Sequence, residues 1–120
     1  MRLYHFDEQV ARGAAVLDER VPGWESLVDL DALDLRCVHR CVLGQVGARR
    51  FGFRRDPYGE TVAALQLELQ TVRHGFNLAV PLPWAWQALH RAWVREISLR
   101  RAAEGVPADA RQPDFALAAG

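Results

Sequence analysis

Apolar residues recur along this chain at helical steps, broken by glycine, proline and aspartate at intervals that mark the ends of helices. Val10, Ala14 and Leu17 fall on one side of a helix over residues 7–19, with Asp7 as the expected N-cap and Pro22-Gly23 ending it. Between 24 and 35, Leu27, Leu30, Leu33 and Leu35 keep neither a period of two nor one of 3.6. That stretch reads as short strand or 3₁₀ pieces, with Asp29, Asp31 and Asp34 on solvent-facing turns. A short helix is expected over 37–46, limited by Gly44 and Gly47, with Val38, Cys41, Val42 and Gln45 on successive turns.

From 49 to 58 aromatic and small residues alternate between arginine pairs before a turn at Asp56-Pro57, which predicts a loop or an edge strand. A further helix is expected over 60–69, with Val62, Leu65 and Leu69 on one side. His74-Gly75-Phe76-Asn77 reads as a turn that puts Phe76 inward. The clearest helix starts near Pro83 and carries Trp86, Leu89, Trp93, Ile97 and Arg100 at steps of three or four, until Gly105 and Pro107 stop it. The prediction is a mainly α or α+β fold, a compact single domain over 1–104 with three to four helices, followed by a flexible tail over 105–120. The one candidate β element is a short edge strand or hairpin around 49–55. No repeat is visible, and the apolar spacing of the last helix is too short for a coiled coil.

With 120 residues, half of them apolar, the chain has enough material to bury a real core. No apolar run approaches the roughly 20 residues of a membrane span, and the first residues lack a secretory signal core, so no membrane partner and a cytoplasmic location are expected. In that compartment Cys37 and Cys41 stay thiols.

Charge changes the picture more. The net charge is zero, but residues 1–35 hold eight acids against three arginines, while 36–60 hold six arginines against Asp56 and Glu60. Proximity favours the acidic segment folding over the basic one and neutralising it; an external partner is the other outcome. All fifteen Lys and Arg positions are arginine, as GC-rich coding produces, so the absence of lysine carries little functional weight.

The chemical candidates are few. Cys37 and Cys41 form one half of a zinc set whose other half would have to be His74 and His90, on separate elements; small buried hydrophobes are the simpler reading of both cysteines. A thiolate beside Arg36 and Arg40, with a histidine as base, is a second candidate, for which no oxyanion site or orienting carboxylate can be read. Asp29, Asp31 and Asp34 lack the glycine and terminal glutamate of a calcium loop. The strongest signal is the arginine–aromatic run of Arg49, Arg50, Phe51, Phe53, Arg54, Arg55 and Tyr58. Guanidinium groups bind anionic oxygens bidentately and aromatic rings offer a stacking surface, so these residues are the candidate site for a protein partner or for nucleic acid. Trp84, off the inner stripe of the last helix, is either a seal at its N-terminus or a partner anchor. No cofactor or metal is called for, and action by binding rather than catalysis is expected.

Taken together, Ala14-Ala15-Val16-Leu17-Asp18-Glu19, Pro22-Gly23-Trp24, Asp29-Leu30-Asp31-Ala32-Leu33-Asp34-Leu35, the segment from Arg40 to Gln45, His74-Gly75-Phe76 and a closing tryptophan helix with Arg100-Arg101 form a pattern. It resembles a group of small uncharacterised proteins of bacteriophages, prophages and GC-rich actinobacteria, over about residues 11–102. Cys41, Leu43, Gly44 and Gln45 match the centre of that pattern, while Cys37 and His39 lie outside it. The resemblance implies a common fold and an accessory role, such as modulating a host factor or binding a phage component, and no defined activity.

Overall fold

The long C-terminal helix organises the molecule. In a computed structural model that describes residues 5–105, this helix, α4 (Pro83–Gly105), turns Leu89, Trp93 and Ile97 fully inward and adds Ala85 and Ala92 to the same stripe. Its N-terminal proline and its three-and-four spacing place it where the sequence predicts. Of the tail expected over 105–120, Gly105 still belongs to α4 and 106–120 lie outside the described residues.

Helix α1 (Asp7–Arg20) packs on α4 and buries Val10, Gly13, Ala14 and Leu17, with Gly13 lying against the His74 carbonyl and the Phe76 ring. Asp7 is not its cap. Phe6 occupies that position without a side-chain bond, and Asp7 and Glu8 lie in the first turn, where carboxylates complement the helix dipole. After Gly23 in the left-handed conformation, a 3₁₀ segment, Trp24–Leu27, contacts both α4 and the second half of the fold.

That second half is α2 (Val42–Val46), a π-helical turn (Gly47–Phe51) and α3 (Pro57–Ala64), packed on one another. Helix α2 is shorter than expected, because residues 37–40 close a separate turn, with the N–H groups of Arg40 and Cys41 both donating to the Cys37 carbonyl. The predicted edge strand around 49–55 is absent: the backbone stays helical through Phe51, and Gly52 at φ 77° ends it. The alternation of Phe51 and Phe53 that suggested two faces of a strand is instead satisfied by stacking of the two rings at 5.4 Å. Helix α3 begins earlier than predicted, because Asp56 and Pro57 are a cap and a first position rather than a turn: the Asp56 carboxylate accepts from Gly59 N–H at 3.1 Å and Glu60 Oε1 accepts from Asp56 N–H at 3.2 Å. It ends at Leu65, with Gln66 at φ 59°, so Leu69 lies beyond it and is 99% exposed.

The described residues form one mainly α domain with four helices and no strand. Its centre is aromatic: Trp24 meets Trp93 edge-on at 5.9 Å, and Phe76 stacks on Trp93 at 5.3 Å. The turn at 74–77 delivers Phe76 as predicted, with Gly75 at φ 74° and its carbonyl accepting from Trp93 Nε1 at 2.7 Å. Among the described residues no helix is long and apolar enough to cross a membrane.

Candidate binding surface

The Arg40 to Gln45 motif proves to be structural. Cys41 caps α2, its Sγ accepting from Gly44 N–H at 3.2 Å. Gly44 has no Cβ because one would lie 2.1 Å from the Val38 carbonyl oxygen, and a Cβ on Gly47 would lie 1.9 Å from Thr61 Oγ1. The buried Gln45 amide accepts from Asp29 N–H at 2.6 Å and donates to the carbonyls of Asp29 at 3.2 Å and Arg40 at 2.9 Å. The acidic segment is therefore tied to the arginine-bearing one by amide hydrogen bonds to its backbone rather than by its charges.

Charge neutralisation between the two segments is correspondingly slight, contrary to the expectation from proximity. Asp34 pairs with Arg40 at 3.6 Å, and among the described residues that is the one ion pair joining the acids before residue 36 to the arginines of 36–60. Asp29 and Asp34 spend carboxylate oxygens on local turns, accepting from Asp31 N–H and Arg36 N–H at 3.0 Å each. Two further acids find arginines at the far end of the chain. Asp18 pairs with Arg100 at 2.7 Å and Asp7 with Arg95 at 2.8 Å.

The seven candidate residues separate into three groups. Arg49 reaches back to donate to the Leu27 carbonyl and approaches Gln45 Oε1 at 3.4 Å, so it holds the 3₁₀ segment in place. Tyr58 is half-buried against the core; burial pushes its phenol pKa up, and the side chains of Thr71 and Asn77 hydrogen-bond to it. The remaining five stay together at the surface. Arg50 lies over the Phe51 ring at 5.3 Å, Phe51 is 38% exposed, Phe53 stacks against it, and Arg54 and Arg55 follow directly. None of Arg50, Arg54 and Arg55 makes an ion pair among the described residues. Their backbone is pinned from outside, where His39 Nε2 donates to the Arg54 carbonyl at 3.1 Å.

The cysteines differ sharply. Burial pushes the Cys41 thiol up to about 11. A hydrogen bond from the Arg40 guanidinium, with the His39 backbone, lowers that of Cys37, which stands at the rim of a cavity of about 230 Å³ shared with Tyr58, Phe76 and Trp86. The zinc pairing fails on geometry: among the described residues no three His, Cys, Asp or Glu side chains converge as a ligand set. His74 is occupied elsewhere, its Nδ1 donating to the Gln70 carbonyl at 2.9 Å. Trp84, at the start of α4, is 46% exposed.

Comparison with protein-family models, with curated proteins and with solved structures finds no match to this chain.

Proposed function

We propose that this chain is a small accessory binding module whose surface around Arg50, Phe51, Phe53, Arg54 and Arg55 docks an acidic segment of a protein partner. One observation carries the reading: three guanidinium groups with no ion pair among the described residues sit beside a partly exposed aromatic pair, while most other arginines of the fold have an intramolecular partner. Guanidinium groups with unused donors favour carboxylates, and a neighbouring ring supplies the apolar contact that anchors such interfaces. The accessory role agrees with the phage-related proteins that the motif pattern resembles, and action within the cytoplasm belongs to the same proposal.

Single-stranded nucleic acid is the second reading, favoured by the Phe51–Phe53 stack, which offers bases a ring face next to cations. It ranks lower because the whole chain is neutral and three free guanidiniums make a short electrostatic footprint. Fluorescence anisotropy with a Glu- and Phe-containing peptide and with an oligothymidine, each titrated across salt, separates the two. The protein reading expects the peptide to bind more tightly, and a triple Arg50→Ala, Arg54→Ala, Arg55→Ala variant to lose it. Preferential binding of the oligonucleotide with a steep salt slope favours the second reading. If the triple variant binds both probes as well as the wild type does, this surface is not the site.

A further inference from the structure

A groove of about 570 Å³ runs between the 31–40 loop and the first half of α4, apart from the arginine–aromatic surface. That volume falls within the range of small-molecule sites. Leu33, Leu35 and the partly exposed ring of Trp86 supply its apolar lining. Arg36 and Arg91 line it as well, and neither side chain makes an ion pair or hydrogen bond among the described residues. The contrast along α4 is informative. One turn further on Arg95 is paired with Asp7, and Arg100 beyond it with Asp18 and Glu96, whereas Arg91 is uncommitted.

The groove's own acids do not neutralise these two cations. Asp34 is taken by Arg40 and by Arg36 N–H, which leaves Asp31 as the one carboxylate in the lining without a side-chain partner among the described residues. Two free guanidiniums against one free carboxylate give the groove an excess of positive charge next to a flat indole face. Anionic oxygens satisfy forked guanidinium donors, and an aromatic ring packs on an indole in offset or edge-on geometry.

We propose that this groove binds a small organic anion built on a flat aromatic ring, with its carboxylate or phosphate held by Arg36 and Arg91 and its ring against Trp86. Calorimetric titration of the full chain with phenylphosphate and phenylacetate tests this, with inorganic phosphate and benzyl alcohol as controls. At least one aromatic anion binds more tightly than either control, and which of the two prefers the groove identifies the anionic group. Arg36→Gln and Arg91→Gln each weaken binding by roughly tenfold, as expected for loss of a charge-assisted hydrogen bond. Both side chains are exposed and make no internal bond among the described residues, so these variants keep the fold, which circular dichroism verifies. Arg73→Gln, an exposed arginine outside both the groove and the arginine–aromatic surface, leaves affinity unchanged. The proposal is overturned if benzyl alcohol binds as well as the anions, if Arg73→Gln weakens binding as much as the groove variants, or if no aromatic anion binds more tightly than roughly 5 mM, a free energy of only about 3 kcal/mol.

Discussion

Gln45 grips the Asp29 peptide from both sides, its Oε1 accepting from Asp29 N–H at 2.6 Å and its Nε2 donating to the Asp29 carbonyl at 3.2 Å. The same Nε2 also donates to the Arg40 carbonyl at 2.9 Å, and the side chain is 4% exposed. Truncation strands the Asp29 N–H, while the carbonyls of Asp29 and Arg40 keep their bonds from Ala32 N–H at 3.2 Å and Asp34 N–H at 3.1 Å. Gln45→Ala is therefore expected to cost about 3 kcal/mol, the loss of three net hydrogen bonds together with one backbone N–H left unpaired. Urea denaturation measures it, and a loss below about 1 kcal/mol would mean that water replaces the amide without penalty.

How much of this was legible beforehand follows from where each residue's constraint comes from. The stripe of Leu89, Trp93 and Ile97 was readable because periodicity reports burial directly, and so was the inward turn of Phe76. The region from 37 to 58 was not. Its helices are short, and its boundaries are set by a thiol acting as cap, by Gly44 passing under Val38, and by a π-helical turn, none of which leaves a periodic trace. The arginine–aromatic cluster was visible as composition. That Arg49 and Tyr58 belong to the packing, while Arg50, Arg54 and Arg55 remain at the surface, depends on contacts 13 to 22 residues away and could be seen only in three dimensions. The groove was missed because Arg36 and Arg91 are far apart in sequence and each looks like an ordinary surface arginine.

Arg49 and its neighbours should respond differently to truncation. Arg49 donates to the Leu27 carbonyl, so Arg49→Ala is expected to lower stability by about 1 kcal/mol, while Arg54→Ala and Arg55→Ala stay within about 0.5 kcal/mol of the wild type. Chemical denaturation of the three variants decides this. Equal losses at all three positions would contradict the division of the cluster into structural and free arginines.

Acid should weaken the contact between α1 and α4. The Arg100 guanidinium hydrogen-bonded to Asp18 holds that carboxyl below its ordinary value of 3.8, with Trp24 Nε1 also donating to it at 2.8 Å. A depressed folded pKa means that Asp18 contributes stability in full above 3.8; the contribution fades as pH falls through that value and is gone below the folded pKa. Asp18 is 47% exposed, so solvent screening limits the effect to at most about 1 kcal/mol at neutral pH. The gap in melting temperature between wild type and Asp18→Asn should therefore close as pH is lowered from 6 to 2. A gap that stays constant across that range would show that the charge of Asp18 is not what matters.

The two thiols should be chemically distinct in the native state. Cys37 is only partly buried and its pKa lies below its ordinary value of 9.0 because Arg40 hydrogen-bonds to it, whereas burial pushes Cys41 up to about 11. Because the thiolate is the reacting form and Cys41 is also buried from the reagent, Cys37 is expected to be alkylated at least about tenfold faster at pH 7.5. Iodoacetamide labelling followed by mass spectrometry should find a single modification that vanishes in Cys37→Ser and persists in Cys41→Ser. Equal labelling at both positions would show that the capping thiol of α2 is open to solvent.

Gly44 carries the tightest backbone crossing in the second half of the fold, and replacing it sets two effects against each other. Alanine within a helix is ordinarily worth up to about 1 kcal/mol over glycine. At this position the added Cβ would lie 2.1 Å from the Val38 carbonyl oxygen and 2.9 Å from its carbon, both backbone atoms. Backbone cannot swing aside as a side-chain tip does, and moving it would disturb the 37–40 turn that presents Arg36 and Arg40 to the groove. Overpacking of this kind costs about 3 kcal/mol, so steric strain wins and Gly44→Ala should be clearly destabilised. Gly52→Ala is the informative comparison, because its surroundings are open and only its φ of 77° opposes a side chain, at a cost of about 1 kcal/mol. If denaturation ranks the two variants the other way round, Val38 does not cross α2 where described, and the groove wall built on that turn has to be redrawn.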